Sequence, residues 1–159
     1  SGKAEEVAEL VQKALDQEMA PAEILSGGLI ASMLTRIPGS SDGFHAGFVT
    51  YHNAIKEQVL GVAAETLASE GAVSEDVVRQ MAEGALARSG ADYAIAVSGI
   101  AGPGGGTPEK PVGLTWIGVS SYSVNRAWQY VWEGDRLSVK EQSAEQALRC
   151  LVEFLQDHP

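Results

Sequence analysis

A three-layer α/β/α sandwich with a mixed sheet is the fold this sequence predicts. Three observations carry it: apolar residues recur at helical spacing in several separate stretches, short apolar or β-branched runs stand between them, and glycine or proline separates the two kinds of segment. Helices that alternate with strands cover a sheet on both faces. A very short connection between the last two strands makes that pair a hairpin, so the sheet is expected to mix antiparallel with parallel neighbours.

Val7, Leu10, Val11, Ala14 and Leu15 give an amphipathic helix over residues 3–19 that ends before Pro21, with Glu5, Glu6, Glu9 and Asp16 on its polar face. A short extended piece, Ala22 to Leu25, meets Gly27-Gly28, and a helix from Leu29 to Ile37 is stopped by Pro38-Gly39. Phe44 to Tyr51 is aromatic and β-branched and reads as a strand. Ala54 to Leu60 and Ala63 to Glu70 read as short helices parted near Gly61, the second closed by Gly71. Ser74 followed by Glu75 and Asp76 starts a helix whose stripe Val77, Val78, Met81, Ala82, Ala85 and Leu86 runs to Gly90. Tyr93 to Val97 is an unbroken apolar run, as a strand covered on both faces requires. After a glycine- and proline-rich loop from Gly99 to Pro111, Val112 to Tyr122 and Arg126 to Trp132 form the hairpin around Ser123-Val124-Asn125. A long helix from Leu137 to Gln156 closes the chain, with Ala144, Ala147, Leu148, Leu151, Val152 and Leu155 toward the core. Residues 3–157 read as one domain; Ser1-Gly2 reads as an expression-vector remnant.

The 159 residues are 45% hydrophobic and 20% charged, which suffices for an apolar core without disulfides or metal. Twenty-one acidic against eleven basic side chains give a charge of −10, and the basic residues never form a run. Nucleic acid and anionic membrane are therefore excluded as expected partners, while a small anionic ligand at one focused site is allowed. The single Cys150 lies in a helical apolar pattern and reads as a core thiol. With no apolar run long enough for a membrane span and no apolar secretory leader, the expected compartment is the cytoplasm.

Two glycine-rich segments each follow a predicted strand: Ser26-Gly27-Gly28, and Gly99 to Gly106 with Ala101 and Gly102 inside it. Glycines at strand ends let backbone N–H groups approach a ligand, although tight turns need glycine equally. Neither matches a dinucleotide or P-loop pattern. Tyr51, His52, Asn53 and Lys56 stand at a strand-to-helix transition, the edge where α/β sheets hold ligands. By position alone Lys56 is an ordinary solvated charge, the commoner state of lysine, or a partly buried amine able to act as a base. His45, His52 and His158 have no metal-ligand spacing with Cys or carboxylates, so no metal and no cofactor are expected. Trp116, Trp128 and Trp132 read as hairpin core, with an oligomer interface as the second reading. In Gly134-Asp135-Arg136, Asp135 reads as a helix cap and Arg136 as a solvated charge or a phosphate contact.

Taken in order, Ala22-Glu23-Ile24-Leu25-Ser26-Gly27-Gly28, Gly47-Phe48-Val49-Thr50-Tyr51-His52-Asn53 with Lys56, Val73-Ser74-Glu75, Ser98-Gly99-Ile100-Ala101-Gly102-Pro103, Lys110-Pro111-Val112-Gly113 and Gly134-Asp135-Arg136 resemble the CinA C-terminal domain family. Some of its members are nicotinamide-nucleotide amidohydrolases. The resemblance runs from about residue 5 to about residue 155. It implies that a serine attacks the carboxamide of nicotinamide mononucleotide, releasing ammonia and leaving nicotinate mononucleotide, with the motif lysine, here Lys56, as base. Tyr51 and Asn53 match positions near that pair, and Ser26, Gly27, Gly28, Gly99, Ala101, Gly102 and Arg136 match positions around the substrate. The family motif reads Thr-Ala-Glu-Ser-Cys-Thr-Gly-Gly; here Ile24 stands in the serine position and Leu25 in the cysteine position. Isoleucine has no atom that attacks a carbonyl. Three expectations follow: a family member that has lost amide hydrolysis and binds a small nucleotide or serves as a regulatory subunit of a homo-oligomer; a hydrolase with a displaced nucleophile, foremost Ser26; or an enzyme with another substrate.

Overall fold

The computed structural model describes residues 2–16 and 28–158. Helix α1, Gly2–Leu15, buries Ala4, Val11 and Ala14 and exposes Glu5, Glu6 and Glu9, as its periodicity predicts. Residues 17–19 of the predicted helix and the predicted extended piece at 22–25 lie outside the described residues.

Helix α2, Leu29–Thr35, buries Leu29, Met33 and Leu34 and ends two residues before the sequence predicts. Ile37 precedes Pro38, whose ring disfavours helical backbone at the residue before it, and Ile37 is instead buried from the turn. A 3-10 turn, Ser40–Asp42, follows.

The predicted strand from Phe44 to Tyr51 pairs with no strand among the described residues. Its composition signals strand propensity, which measures fit to a half-buried pleated surface. Residues 45–49 are all exposed, and no such surface covers them among the described residues. Helix α3, Asn53–Leu60, starts under His52, whose Nδ1 accepts from the Ala54 N–H at 3.3 Å, and ends on Gly61 in the left-handed region. Helix α4, Ala64–Glu70, ends on Gly71. Helix α5, Glu75–Ser89, is capped as predicted: Ser74 Oγ accepts from the Val77 N–H, two acids occupy its first turn, and Gly90 closes it at φ 66°.

Strands β1, Ala94–Gly99, β2, Leu114–Ser120, and β3, Asn125–Val131, form a sheet in the order β1-β2-β3. Ile95 pairs with Val119, and Ile117 with Trp128; both ladders are antiparallel. The described sheet is therefore not mixed, which corrects the expectation. The glycine-rich loop reverses the chain directly between β1 and β2, whereas a parallel pair needs a crossover that returns it to the starting edge.

Layering follows the prediction. On one face α5 lies so close to β2 that a Cβ at Gly118 would stand 2.6 Å from the Val78 carbonyl oxygen. On the other face Ile117 and Val119 join Ala147, Leu148 and Leu151 of helix α6, Arg136–Asp157, with α1 and α2 packed beyond. Asp135 caps α6 by accepting from the Ser138 N–H at 2.8 Å. Cys150 is fully buried; burial pushes its thiol pKa up, as suits an inert core thiol. Trp128 packs against this core, and Trp132 stacks on Tyr130 with ring centroids 5.0 Å apart.

Candidate active site

The site is built first from a loop that needs glycine. At Gly99, the end of β1, an added Cβ would meet Thr115 Oγ1 at 2.8 Å; at Gly102, with φ +81°, it would meet Val112 Cγ1 at 2.6 Å. The loop is held at several points. Ile100 donates to the Leu114 carbonyl at 2.9 Å, and Thr107 to that of Lys110 at 2.8 Å. Lys110 Nζ donates to the carbonyls of Val73, at 2.9 Å, and of Glu70, while Ser98 Oγ donates to that of Ala72 at 2.7 Å. The loop is thereby fastened to the junction between α4 and α5.

Lys56 lies on α3 with only 6% of its surface exposed, which settles its two readings against the solvated charge. Its Nζ donates to the carbonyls of Thr50, at 2.8 Å, and Tyr51, at 3.2 Å. Burial removes water from the ammonium and lowers the pKa from its ordinary value of 10.5. The amine is thus held by the backbone of the segment that leads into its own helix.

Tyr51 is exposed over most of its ring, and its hydroxyl accepts from Arg136 Nη2 at 3.0 Å. Arg136 Nη1 donates to the Gly102 carbonyl at 2.9 Å. Arg136 is exposed, and its guanidinium fork ties the segment before α3 to the glycine loop from the first residue of α6. Asn53, exposed, is the first residue of α3.

These residues face one hollow. The described residues leave a space of about 840 Å³ whose wall includes Gly28, Tyr51, Asn53, Lys56, Gly99, Ala101 and Arg136. Gly102 is not on this wall; its carbonyl is held by Arg136. Ile24, Ser26 and Gly27 lie outside the described residues; the chain re-enters at Gly28 on this wall. Among the described residues no group of three His, Cys, Asp or Glu is placed to hold a metal ion.

The CinA C-terminal domain model matches residues 2–155. The chain belongs to the CinA C-terminal domain family. A nicotinamide-nucleotide amidohydrolase of Shigella flexneri is 47% identical over 147 residues, covering 91% of this chain and 89% of that protein. A CinA-like protein of Chloroherpeton thalassium is 48% identical over 155 residues, 95% of this chain but 37% of the relative. The chain thus spans little more than a third of the length of several relatives it matches. Among solved structures, the competence damage-inducible protein A of Klebsiella pneumoniae superposes with a TM-score of 0.83 at 34% identity, covering 96% of this chain and 99% of that one. The competence/damage inducible protein of Agrobacterium tumefaciens gives 0.78 at 39% identity, covering 94% and 95%. No described helix is long and apolar enough to cross a membrane.

Within this CinA C-terminal domain, sequence reasoning passed over a buried pair on the same wall. Thr115 and Ser143 place their hydroxyl oxygens 3.1 Å apart, and Ser143 donates onward to the Val139 carbonyl at 2.6 Å. The available signal was the spacing Val139, Ser143, Ala147, which sets a hydroxyl in the buried stripe of α6. Lys110, quoted only as part of a motif, proves to be the residue that fastens the glycine loop.

Proposed function

We propose that this domain retains the nucleotide cleft of its family and does not deamidate nicotinamide mononucleotide by the serine route. The observation that carries the reading is a base prepared for a nucleophile that is missing. Lys56 is buried, with its pKa lowered, on the wall of the hollow, while the motif position for the attacking serine holds Ile24. A carboxamide is hydrolysed only when an oxygen or sulfur nucleophile adds to its carbonyl carbon and ammonia departs. A lysine base accelerates that addition by taking the nucleophile's proton; with no hydroxyl at position 24 it has nothing there to activate. Tyr51, Arg136 and the glycine loop then serve to hold a ligand of the same class.

The experiment is ammonia release from nicotinamide mononucleotide by the purified protein, beside a thermal-shift series with the same compound. A melting shift without turnover is expected. Turnover overturns the reading, and turnover abolished by Ser26→Ala assigns the attack to the turn serine, the alternative favoured by 47% identity to an amidohydrolase.

A further inference from the structure

The hydrogen bonding around Lys56 Nζ leaves one of its three outward positions open. A neutral amine has two N–H donors and one lone pair; an ammonium has three donors. Among the described residues Nζ has two acceptors, the carbonyls of Thr50 and Tyr51, and no carboxylate pairs with it. Two N–H groups are therefore satisfied and the third tetrahedral position is left for the lone pair. An ammonium there would carry its charge with no carboxylate partner among the described residues, and the open position faces the hollow. Desolvation acts in the same direction.

We propose that Lys56 is itself the nucleophile of this cleft and captures a small aldehyde or ketone as an imine. The inference rests on the reading above, in which position 24 supplies no hydroxyl for this amine to activate. The nitrogen lone pair forms the C–N bond while the carbonyl π electrons move to oxygen, giving a carbinolamine. That oxygen then leaves as water, carrying one former amine proton and one proton taken from solvent, while the nitrogen lone pair completes the C=N bond and the second amine proton stays on nitrogen. No oxidant, reductant or further reactant is needed. The protonated imine keeps one N–H, which one of the two carbonyls can hold, so the product fits the anchor that positioned the amine. Lys3 differs: it pairs with Asp92 at 2.6 Å, an arrangement that favours the unreactive ammonium.

The test uses glyoxylate, a small aldehyde, in limiting amount with cyanoborohydride at about pH 7, where most exposed lysines are protonated. Peptide mapping then measures carboxymethylation at each lysine of the intact protein. Lys56 is expected to react at least about tenfold faster than Lys3, Lys13 or Lys140. A rate at Lys56 equal to or below that of those lysines overturns the proposal. Ammonia release from nicotinamide mononucleotide separates the two failures, because turnover sinks the inactive reading whatever the labelling pattern.

Discussion

Gly84→Ala tests how the amine is held in place. Gly84 lies in α5, and an added Cβ there would stand 1.8 Å from the Leu60 carbonyl oxygen and 2.7 Å from its carbon. Ordinary contact requires about 3.4 Å, so the last turn of α3 must retreat by about 1.6 Å, and the obstacle is backbone rather than the tip of a flexible side chain. The retreat meets resistance: Arg88 Nε donates to the Val59 carbonyl at 2.9 Å, and Val62 N–H donates to that of Lys56 at 3.2 Å. Overpacking costs about 1–3 kcal/mol, here at the upper end, while alanine in a helix interior returns about 1 kcal/mol over glycine. The net loss is about 2 kcal/mol, which lowers the melting temperature of a domain of this size by about 4–8 °C. Circular-dichroism melting of the variant beside wild type measures it. A melting temperature equal to or above wild type refutes the reasoning, since helix propensity alone changes it in that direction. Because the displaced turn carries the Lys56 carbonyl, reductive labelling of Lys56 should slow in the same variant.

Two further substitutions bear on the cleft. For Lys56→Met the sign comes from linkage: the folded pKa is lowered, so between it and the ordinary 10.5 the unfolded chain binds more protons, and wild-type stability rises with pH across that window. Urea midpoints at about pH 7 and about pH 9.5 should therefore show wild type gaining on the variant at the higher pH, and a constant difference would show that burial does not perturb this amine. Ile24→Ser should give weak ammonia release from nicotinamide mononucleotide that Lys56→Met removes; release that persists without Lys56 would dissociate the lysine from the chemistry.

The parts of this fold that were legible in the sequence are those with a local cause. Ser74, Asp135 and Gly90 announce helix ends through a side-chain acceptor or a left-handed backbone, and each stands where it was expected. The buried stripes of α5 and α6 follow from period alone. Phe44 to Tyr51 misleads because β-branched and aromatic content reports what a segment would do on a sheet, and no sheet edge reaches it among the described residues. The three described strands are antiparallel throughout because strand direction depends on whether a loop reverses or crosses over, which composition does not encode. At the site, Tyr51, Lys56, Gly102 and Arg136, which stand apart in the motifs, are joined by hydrogen bonds, but no local signal distinguishes a buried lysine from a solvated one. The side chain turns back onto Thr50 and Tyr51, and its helix lies against α5 at Gly84, a contact between residues far apart in the chain.

The cradle and the nucleophile position are separable in this architecture. The contacts that shape the cradle join four segments: Thr50 and Tyr51 with Lys56, Tyr51 with Arg136, Arg136 with Gly102, and Lys110 and Ser98 with the α4–α5 junction. Every one of them is made by residues from 50 onward, and most use backbone carbonyls, which a side-chain substitution elsewhere does not remove. Ile24 can therefore replace a serine without unmaking any of these hydrogen bonds. A buried amine whose two donors are anchored by main chain also does not depend on an acidic partner for its position, so its reactivity outlasts loss of the alcohol it would otherwise serve. Labelling of Lys56 should consequently persist in Ile24→Ser, slowed only as far as the new hydroxyl occupies the amine's lone pair; loss of labelling altogether would mean that the two carbonyls do not hold the amine independently of position 24.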